Sequence, residues 1–287
     1  MVAASTLARI QTTTIASQWL AIPYLSNCDG NDALRVSLMI TTFNWPVALN
    51  LVLETVLAQS RVPDQVIVCD DGSGVETTDV VGRWKDKLPL RHVWQQDLGF
   101  RASRARNLGA AANCSDYIIW IDGDCLLPSN FIEKHVALSK PKHLIAGGRR
   151  LLSEEFTARM FTQNVAVDQA FDSWKFISFP LGYFRSIQSK SWNIVRSCNL
   201  SLYRDDLIEI GGFDESFVGW GREDSDFVIR LMNLGLKIKS GRLATCVAHL
   251  YHYDRSKSHL SINDERLART LGDSARIYSQ RSILEDK

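Results

Sequence analysis

The sequence predicts an α/β protein in which helices flank a mainly parallel central sheet. From Arg35 onward, short apolar segments alternate with segments of helical periodicity, which is typical of βαβ units wound in the right-handed sense. One apolar segment, residues 117–121, contains no polar position and ends in Asp122-Gly123-Asp124. A strand of this kind fits a sheet that is covered by helices on both faces.

The individual elements follow from the same patterns. Apolar and β-branched segments predict strands at residues 36–42, 65–69, 90–94, 117–121, 143–146, 199–203, 236–239 and 244–249. Helical periodicity predicts helices at about residues 44–57, 76–86, 102–112, 129–138, 204–210 and 223–235. The first helix has Asn44 as its expected cap and Pro46 in its first turn. Residues 151–193 are rich in aromatic side chains without clear periodicity, so we expect loops and short helices covering the C-terminal edge of the sheet.

These patterns divide the chain into three parts. Residues 35–255 form the expected single domain, in which a half of regular strand and helix alternation at 35–148 precedes a half of looser pattern at 149–255. Residues 1–34 form an N-terminal extension, for which a surface helix, a peripheral membrane anchor and a poorly ordered segment all stay open. Residues 256–287 are expected to form a polar helical tail that docks loosely.

Composition excludes several classes of protein. The 33 basic and 32 acidic residues give a net charge of +1, and no basic tract supports binding to nucleic acid. The six cysteines are scattered without a CxxC pair, which favours a reduced cytoplasmic environment over a zinc or disulfide framework. No stretch approaches the roughly 18 apolar residues of a membrane span. We therefore expect a cytoplasmic location, with peripheral association at the inner face of the membrane as an open alternative.

Polar side chains follow three of the predicted strands at the point where each strand ends. Thr41, Phe43 and Asn44 follow the first strand, Asp70 and Asp71 the second, and Asp122 and Asp124 the fourth. Ligands of parallel α/β sheets bind at this edge, and paired carboxylates there suit a divalent cation that also holds phosphate. An Asp-Gly turn with solvated acids is the simpler alternative for Asp122 and Asp124 taken alone.

A cluster of arginines begins the helix predicted at 102–112. Arg101, Arg104 and Arg106 lie where backbone N–H groups already favour an anion. Beside a metal-binding carboxylate pair, this cluster is interpreted as a cradle for a diphosphate. A solvated helix face is the alternative for any one of them.

Two further groups carry candidate chemistry. Glu223 and Asp224 follow a Gly-Trp-Gly loop that contains Trp220; they either stabilise the helix dipole or supply a general base. His249 and His252 lie three residues apart near a strand end, and imidazole with carboxylate fits Mn²⁺ or another transition metal better than Ca²⁺. His92, His135 and His143 have no comparable context and are interpreted as structural.

Taken together, the motifs resemble the inverting GT-A glycosyltransferases of glycosyltransferase family 2, whose fold is a Rossmann-like, mainly parallel sheet flanked by helices. The second half of the chain is similar to the C-terminal region of β-1,4-galactosyltransferases and bacterial chondroitin-type synthases. The resemblance covers residues 36–255. It rests on the segments VSLMITTFN (36–44), CDDGS (69–73), GFR (99–101), RARN (104–107), DGD (122–124) and GWGREDSD (219–226).

The resemblance implies a role for each matching residue. Asp71 would bind the nucleotide base, uracil or another, in a pocket lined by Thr41 and Phe43. Asp124, with the Asp122 turn, would hold Mn²⁺ or Mg²⁺ on the diphosphate, and either His249 or His252 would be a third ligand. Asp224, with Glu223 as its neighbour, matches the catalytic base, and Trp220 would close over both sugars. The first strand ends in Thr-Thr where many relatives have Pro-Thr, a difference on which no mechanistic step depends.

The implied reaction transfers a sugar from a nucleotide-diphosphate donor, expected to be a UDP-sugar, to a glycan or glycolipid acceptor. Synthesis of a capsule, a lipopolysaccharide or another cell-surface polysaccharide is the expected pathway. Two alternatives stay open: a nucleotidyltransferase, which would release pyrophosphate, and a sugar-nucleotide-binding protein without transferase activity. A processive membrane synthase is disfavoured because the Gln-x-x-Arg-Trp motif is absent.

Overall fold

The computed structural model describes residues 33–163, 165–174, 188–189, 191–253 and 257–284. Residues 1–32 of the predicted extension and residues 175–187 of the aromatic segment lie outside these ranges. Among the helices within them, none is both long and apolar enough to cross a membrane.

The described part contains strands β1 Val36–Thr42, β2 Gln65–Asp70, β3 Leu90–Trp94, β4 Tyr117–Asp122, β5 Cys125–Leu126, β6 His143–Ala146, β7 Gly148–Leu151, β8 Gln188–Ser189, β9 Asn199–Tyr203, β10 Lys237–Ser240 and β11 Cys246–His249. Its α-helices are α1 Pro46–Leu57, α2 Val75–Trp84, α3 Ala102–Ala111, α4 Phe131–Leu138, α5 Glu154–Thr162, α6 Arg204–Glu209, α7 Glu223–Asn233 and α8 Leu260–Leu271. Each predicted strand and helix is present within a few residues. The short strands β5, β7 and β8 were not predicted, because segments of two to four residues carry no readable period.

One sheet of eight strands runs through the molecule in the order β3-β2-β1-β4-β9-β6-β10-β8. The first four strands in this order are mutually parallel, and β6 is parallel to β10. Only β9, which is antiparallel to both β4 and β6, and the edge strand β8 run the other way. The predicted mainly parallel α/β sheet is therefore confirmed.

The sheet is buried on both faces by packed helices. Successive side chains along a strand point to opposite faces and therefore belong to two different hydrophobic cores. Leu38 and Ile40 of β1 pack with α1, α2 and α4, whereas Met39 packs on the opposite face with α3, α6 and α7. Helix α3 approaches β2 so closely that a Cβ at Gly109 would lie 2.2 Å from Cys69 Sγ. This approach brings the first turn of α3 over the carboxyl ends of the central strands.

A second, three-stranded sheet, β5-β11-β7, lies at that same edge. Strand β11 is antiparallel to β5, with His249 opposite Cys125, and parallel to β7. Sequence analysis predicted the strand at 244–249 but not this separate sheet. Because β11 pairs with β5 in this sheet, the end of β11 lies beside the turn that carries Asp124.

The C-terminal segment is bound more firmly than its polar sequence predicts. Helix α8 packs against α7, and Thr270 Oγ1 donates a 2.6 Å hydrogen bond to Asp226, which also forms a fully buried ion pair with Arg230. Asn263 and Leu284 are buried as well. The expectation of loose docking was wrong because these contacts are made by buried polar groups, which hydrophobic periodicity does not reveal.

Candidate active site

A cleft opens at the carboxyl ends of β1, β2 and β4. Register places Thr41 beside Asp122 and Thr42 beside Asp70, so that the three predicted strand ends meet at one edge. The cleft brings together ten of the predicted site residues: Thr41, Phe43, Asp71, Asp122, Asp124, Trp220, Glu223, Asp224, His249 and His252. Residues from both halves of the chain thus line one cavity.

The two acids that end β2 have different environments. Asp70 is fully buried and accepts hydrogen bonds from the backbone N–H groups of Gly72 and Ser73 and contacts His92 at 2.8 Å. Burial opposes its ionisation, but these bonds outweigh burial and lower the pKa of Asp70. Asp70 therefore holds the turn after β2.

Asp71 lies in the wall of the cleft. Its carboxylate accepts a 2.8 Å hydrogen bond from the backbone N–H of Arg101 and a short one from the side-chain amide of Gln95. Burial raises the pKa of Asp71, and the hydrogen bond from Arg101 opposes that rise. Because Gly72 has φ +102° and a Cβ there would lie 2.6 Å from Asp97, the tight turn that positions Asp71 requires glycine.

Asp124 lies at the centre of a group of possible metal ligands. His249 Nε2 is 3.5 Å from one carboxylate oxygen of Asp124, and His252 Nε2 is 3.6 Å from the other. Cys125 Sγ is 3.6 Å from Asp124, and the group of Asp124, Cys125 and His249 is compact enough to surround one ion. Burial raises the pKa of the Cys125 thiol well above its ordinary value.

Hydrogen bonds fix the orientation of both imidazoles. His249 Nδ1 lies 2.8 Å from the carbonyl oxygen of Leu250, and His252 Nδ1 lies 2.8 Å from that of Tyr253. Because a carbonyl only accepts, each Nδ1 donates this hydrogen bond, which leaves Nε2 of each ring directed toward Asp124. This is the arrangement in which a second hydrogen bond orients a metal-binding histidine. The compact group of possible ligands is thus Asp124, Cys125 and His249, and His252 lies beside it, facing the other oxygen of Asp124.

Arg106 belongs to the predicted cluster of three arginines, and it is the member of that cluster that lines the cleft. It is 3% exposed, and its Nη1 lies 3.3 Å from Glu223 Oε1. Its Nη2 donates to Ser197 Oγ at 3.0 Å and lies 3.4 Å from Asp122 Oδ1. Asp122 is thus paired with Arg106 rather than with the histidines. The signal for Arg106 was its position on the buried face of α3, four residues after Ala102.

Glu223 and Asp224 begin α7 at the end of the cleft. Glu223 is buried, and burial together with the neighbouring Asp224 raises its pKa to about 7, against the effect of Arg106. Asp224 borders both the cleft and a second cavity, whose other walls include Trp192, Trp220 and Lys257. Its carboxylate accepts a 3.3 Å hydrogen bond from Ser225 Oγ. Asp224 therefore lies where two bound molecules could meet.

Helix α8 braces the loop that carries Trp220 by two hydrogen bonds. Asn263 Nδ2 of α8 donates to the carbonyl oxygens of Val218 and Gly221, at 3.1 and 3.0 Å. Gly219 has φ +77°, and a Cβ there would lie 2.6 Å from His259. Trp220 itself is 39% exposed, which leaves its ring available to a ligand.

Three predicted site residues do not line the cleft. Asn44 does not cap α1, whose N-cap is Trp45; its Oδ1 instead accepts from the N–H of Gly74 and joins the ends of β1 and β2. Arg104 points to the other side of α3 and pairs with Glu215 at 3.1 Å. Arg101 contributes its backbone N–H to Asp71. Of the three arginines in the predicted diphosphate cradle, the helical periodicity of α3 turns Arg106 into the cleft, and Arg101 and Arg104 do not line it.

Two solved structures share this architecture. The S. aureus TarS 1–349 fragment in complex with UDP-GlcNAc has a TM-score of 0.61 at 13% identity, over 83% of this chain and 66% of that one. The mannosyltransferase PcManGT from Pyrobaculum calidifontis, in complex with GDP-Man and Mn²⁺, has a TM-score of 0.57 at 17% identity, over 89% and 69%. At these identities the likeness shows the fold alone, and that fold is the predicted GT-A fold.

Sequence comparison identifies the family. The validoxylamine A glucosyltransferase of Streptomyces hygroscopicus subsp. limoneus is 28% identical over 254 residues, and the hyaluronan synthase of Pasteurella multocida is 27% identical over 227. These matches cover 82% and 71% of this chain but 56% and 23% of the relatives, so the chain spans about half the length of the first. The model of the glycosyltransferase like family 2 matches residues 39–261. The chain belongs to that family, as the motifs predicted.

Proposed function

We propose that this chain transfers a sugar from a nucleotide-diphosphate donor to a hydroxyl group of a glycan or glycolipid acceptor, with inversion at the anomeric carbon. The observation that carries the proposal is the meeting of three groups in one cleft. These are the base-pocket candidate Asp71, the ligand set around Asp124, and the acids Glu223 and Asp224. Residues 35–148 supply Asp71 and Asp124. Residues 149–255 supply the two histidines and the acids Glu223 and Asp224.

The donor is proposed to be a UDP-sugar. Asp71, with Thr41 and Phe43 beside it, lies at the end of the cleft formed by β1 and β2, where a base could enter. The names of similar proteins support a nucleotide-sugar donor: TarS was solved with UDP-GlcNAc and PcManGT with GDP-Man. Backbone N–H groups in the first turn of α3 favour an anion close to the position proposed for the diphosphate, and Arg106 of the same helix keeps the acids Asp122 and Glu223 paired.

The donor set fits a divalent metal, Mn²⁺ or Mg²⁺. Asp124 with His249 and His252 offers one carboxylate and two oriented imidazoles, which favours Mn²⁺ over a purely oxygen-binding cation. When bound, such an ion would neutralise negative charge on the diphosphate. The complex of PcManGT contains Mn²⁺, which supports the same assignment. Asp122 is proposed to act through Arg106 and the turn that presents Asp124.

Asp224 is the proposed general base. Glu223 is engaged by Arg106, whereas Asp224 faces both cavities and can accept a proton from a hydroxyl group in the second one. The acceptor oxygen loses its proton to Asp224 and forms a bond to the anomeric carbon. The bond from that carbon to the diphosphate oxygen breaks on the opposite face, and the nucleotide diphosphate leaves with the electron pair. A single displacement of this kind inverts the anomeric centre.

The acceptor would occupy the second cavity. Trp192 and Trp220 offer aromatic faces of the kind that pack against sugar rings, and Lys257 lies 5.6 Å over the Trp220 ring. We propose a role in synthesis of a cell-surface polysaccharide such as capsule or lipopolysaccharide, carried out in the cytoplasm at the inner face of the membrane. Names of relatives such as hyaluronan synthase support a polysaccharide acceptor.

A donor screen followed by acceptor trials tests this function. Nucleotide sugars are titrated into the protein by calorimetry with and without Mn²⁺, and the tightest donor is then incubated with a panel of oligosaccharides. The expected result is Mn²⁺-dependent binding of a UDP-sugar and a transfer product of inverted configuration by NMR. Release of pyrophosphate from a nucleoside triphosphate would instead indicate a nucleotidyltransferase. Donor binding without turnover on any acceptor would indicate a binding protein.

A further inference from the structure

A third cavity opens off the cleft near β7, and three arginines line it. It is separate from the second cavity, which lies beside Trp220. Arg149 extends from β7, Arg196 follows the 3₁₀ helix Trp192–Ile194, and Arg242 lies in the turn between β10 and β11. We call this cavity the arginine pocket. Arg149 and Arg196 also border the cleft, whereas Arg242 lines the arginine pocket and not the cleft.

The floor of the arginine pocket is rigid. The buried side chain of Asn199 donates to the carbonyl oxygens of Gly148 and Thr245, at 2.7 and 2.6 Å, and lies 3.0 Å from His135 Nε2. A Cβ at Gly147 would lie 2.1 Å from Asn199 Oδ1, and one at Gly148 would lie 2.9 Å from the carbonyl oxygen of Arg242. Glycine is therefore required at position 147 for the close approach of Asn199, and at position 148 for the turn of Arg242 to close against β7.

The charges of these arginines are not balanced by acids. Arg196 donates to the carbonyl oxygens of Asn193 and Val195, and Arg242 donates to that of Ile194. In the described part of the chain, none of the three arginines forms a salt bridge with a carboxylate. Arg106 differs, because Asp122 and Glu223 neutralise it. Three like charges around one cavity in a chain of net charge +1 make a local site for an anion.

We propose that the arginine pocket binds a carboxylate or phosphate group carried by a sugar of the donor or of the acceptor. The inference rests on the proposed transferase function, because it takes the anion to be part of a substrate. Guanidinium groups match both oxyanions through paired N–H donors. Arg242 distinguishes this role from binding of the nucleotide diphosphate, since Arg242 lies outside the cleft.

The test compares Arg242→Gln with the wild type and with Arg83→Gln, a surface change of the same charge on α2. Calorimetry with Mn²⁺ measures binding of UDP, UDP-glucose and UDP-glucuronic acid. The UDP complex is then titrated with two further pairs, p-nitrophenyl β-glucoside against the β-glucuronide, and glucose against glucose 6-phosphate. We expect at least one anionic ligand to bind about tenfold or more tightly than its neutral counterpart, with the preference lost in Arg242→Gln and kept in Arg83→Gln.

A preference for UDP-glucuronic acid places the anion on the donor, and a preference for the glucuronide or the sugar phosphate places it on the acceptor. The inference is overturned if every pair binds equally in the wild type, or if Arg242→Gln weakens UDP and neutral ligands as much as anionic ones. Since binding is measured without turnover, a protein that fails to transfer sugar still reports the anion preference. Transfer from neutral donors to neutral acceptors with no such preference overturns only this inference.

Discussion

Arg106 and Glu223, 117 positions apart in the sequence, bring Nη1 and Oε1 to 3.3 Å inside the cleft. Arg106 belongs to α3 in the first half of the domain, residues 35–148, and Glu223 begins α7 in the second half, residues 149–255. Their ion pair therefore joins the two halves at the point where donor and acceptor are proposed to meet. Both side chains are nearly excluded from water, so loss of Arg106 would leave Glu223 and its neighbour Asp122 without a cation.

Replacing Arg106 tests this dependence. Arg106→Gln leaves Asp122 and Glu223 without their cation, and we expect a loss of about 3 kcal/mol in the free energy of unfolding. Donor binding should weaken by at least about tenfold. Arg104→Gln is the matched control on the same helix, since Arg104 pairs with Glu215 away from the cleft. Urea denaturation and calorimetry measure both quantities. Stronger weakening of donor binding by Arg104→Gln would restore the arginine cradle predicted from the sequence.

The raised pKa of Glu223 predicts a pH dependence of stability. Its pKa is about 7 in the folded protein against an ordinary value of 4.5, because burial and Asp224 disfavour the charged carboxylate. The folded state then holds the proton more tightly, so the contribution is fully present below pH 4.5 and is lost as pH rises through about 7. At about 1.4 kcal/mol for each pH unit between these values, the loss approaches roughly 3 kcal/mol.

Glu223→Gln isolates this effect because the amide does not titrate. Relative to the variant, the wild type should lose stability between pH 4.5 and 7 in urea denaturation. Parallel stability curves for the two proteins over that interval would show that Glu223 ionises in the folded protein as it does in water. A pH series of Asp205→Gln, an exposed acid on α6, controls for the general effect of removing a negative charge.

Asp224→Asn is expected to separate binding from chemistry. The amide preserves the shape of the side chain but accepts no proton, so the transfer rate should fall by about 10²- to 10⁴-fold. The donor dissociation constant should change by less than about threefold, because Asp224 is proposed to act on the acceptor. Rapid-quench kinetics and calorimetry provide the two readouts. Turnover near that of the wild type would remove Asp224 as the base and leave Glu223 as the candidate.

Removal of the candidate metal ligands should abolish the response to metal. For Asp124→Asn we expect donor binding that no longer improves on addition of Mn²⁺, and for His249→Ala and His252→Ala a loss of at least about tenfold in Mn²⁺ affinity. Asp116→Asn, just before the opposite end of β4, is the control. Electron paramagnetic resonance of bound Mn²⁺ and calorimetry measure these effects. If only one histidine variant loses affinity, the other histidine is a neighbour and not a ligand.

The brace on the Trp220 loop predicts a distant effect on catalysis. Asn263→Ala removes both donors to the carbonyl oxygens of Val218 and Gly221 and should cost about 1–3 kcal/mol of stability. The freed loop should also raise the KM for the acceptor, because Trp220 borders the second cavity. Glu265→Ala, exposed on the same helix, should change neither quantity. An unchanged acceptor KM in Asn263→Ala would show that the loop holds its shape without α8.

Strand alternation and apolar runs were enough to predict the sheet and the edge at which the site lies. The apolar segment 117–121 could only be a covered strand, and the acids that follow β2 and β4 necessarily meet because parallel neighbours end at the same edge. His135 was predicted to be structural, and it is buried with its ring nitrogens beside Ser201 and Asn199. These features are local or follow from strand order.

Contacts between distant segments could not be predicted in this way. Which arginine of α3 faces inward depends on how that helix packs against β2, so the sequence grouped Arg101, Arg104 and Arg106 without showing which of them lines the cleft. The closeness of both histidines to Asp124 depends on the pairing of β11 with β5, a strand of two residues.

By itself, then, the amino-acid sequence determined the α/β class, the strands that end in polar residues, and the family of the chain. These follow from short-range periodicity and from motifs. Tertiary structure alone decided the partners of Arg106, the orientation of the two imidazoles, the brace by Asn263 and the convergence of three arginines beside the cleft. The physical reason is that hydrogen bonds and ion pairs act over about 3 Å in space, whereas nothing in the local sequence marks a partner more than a hundred residues away.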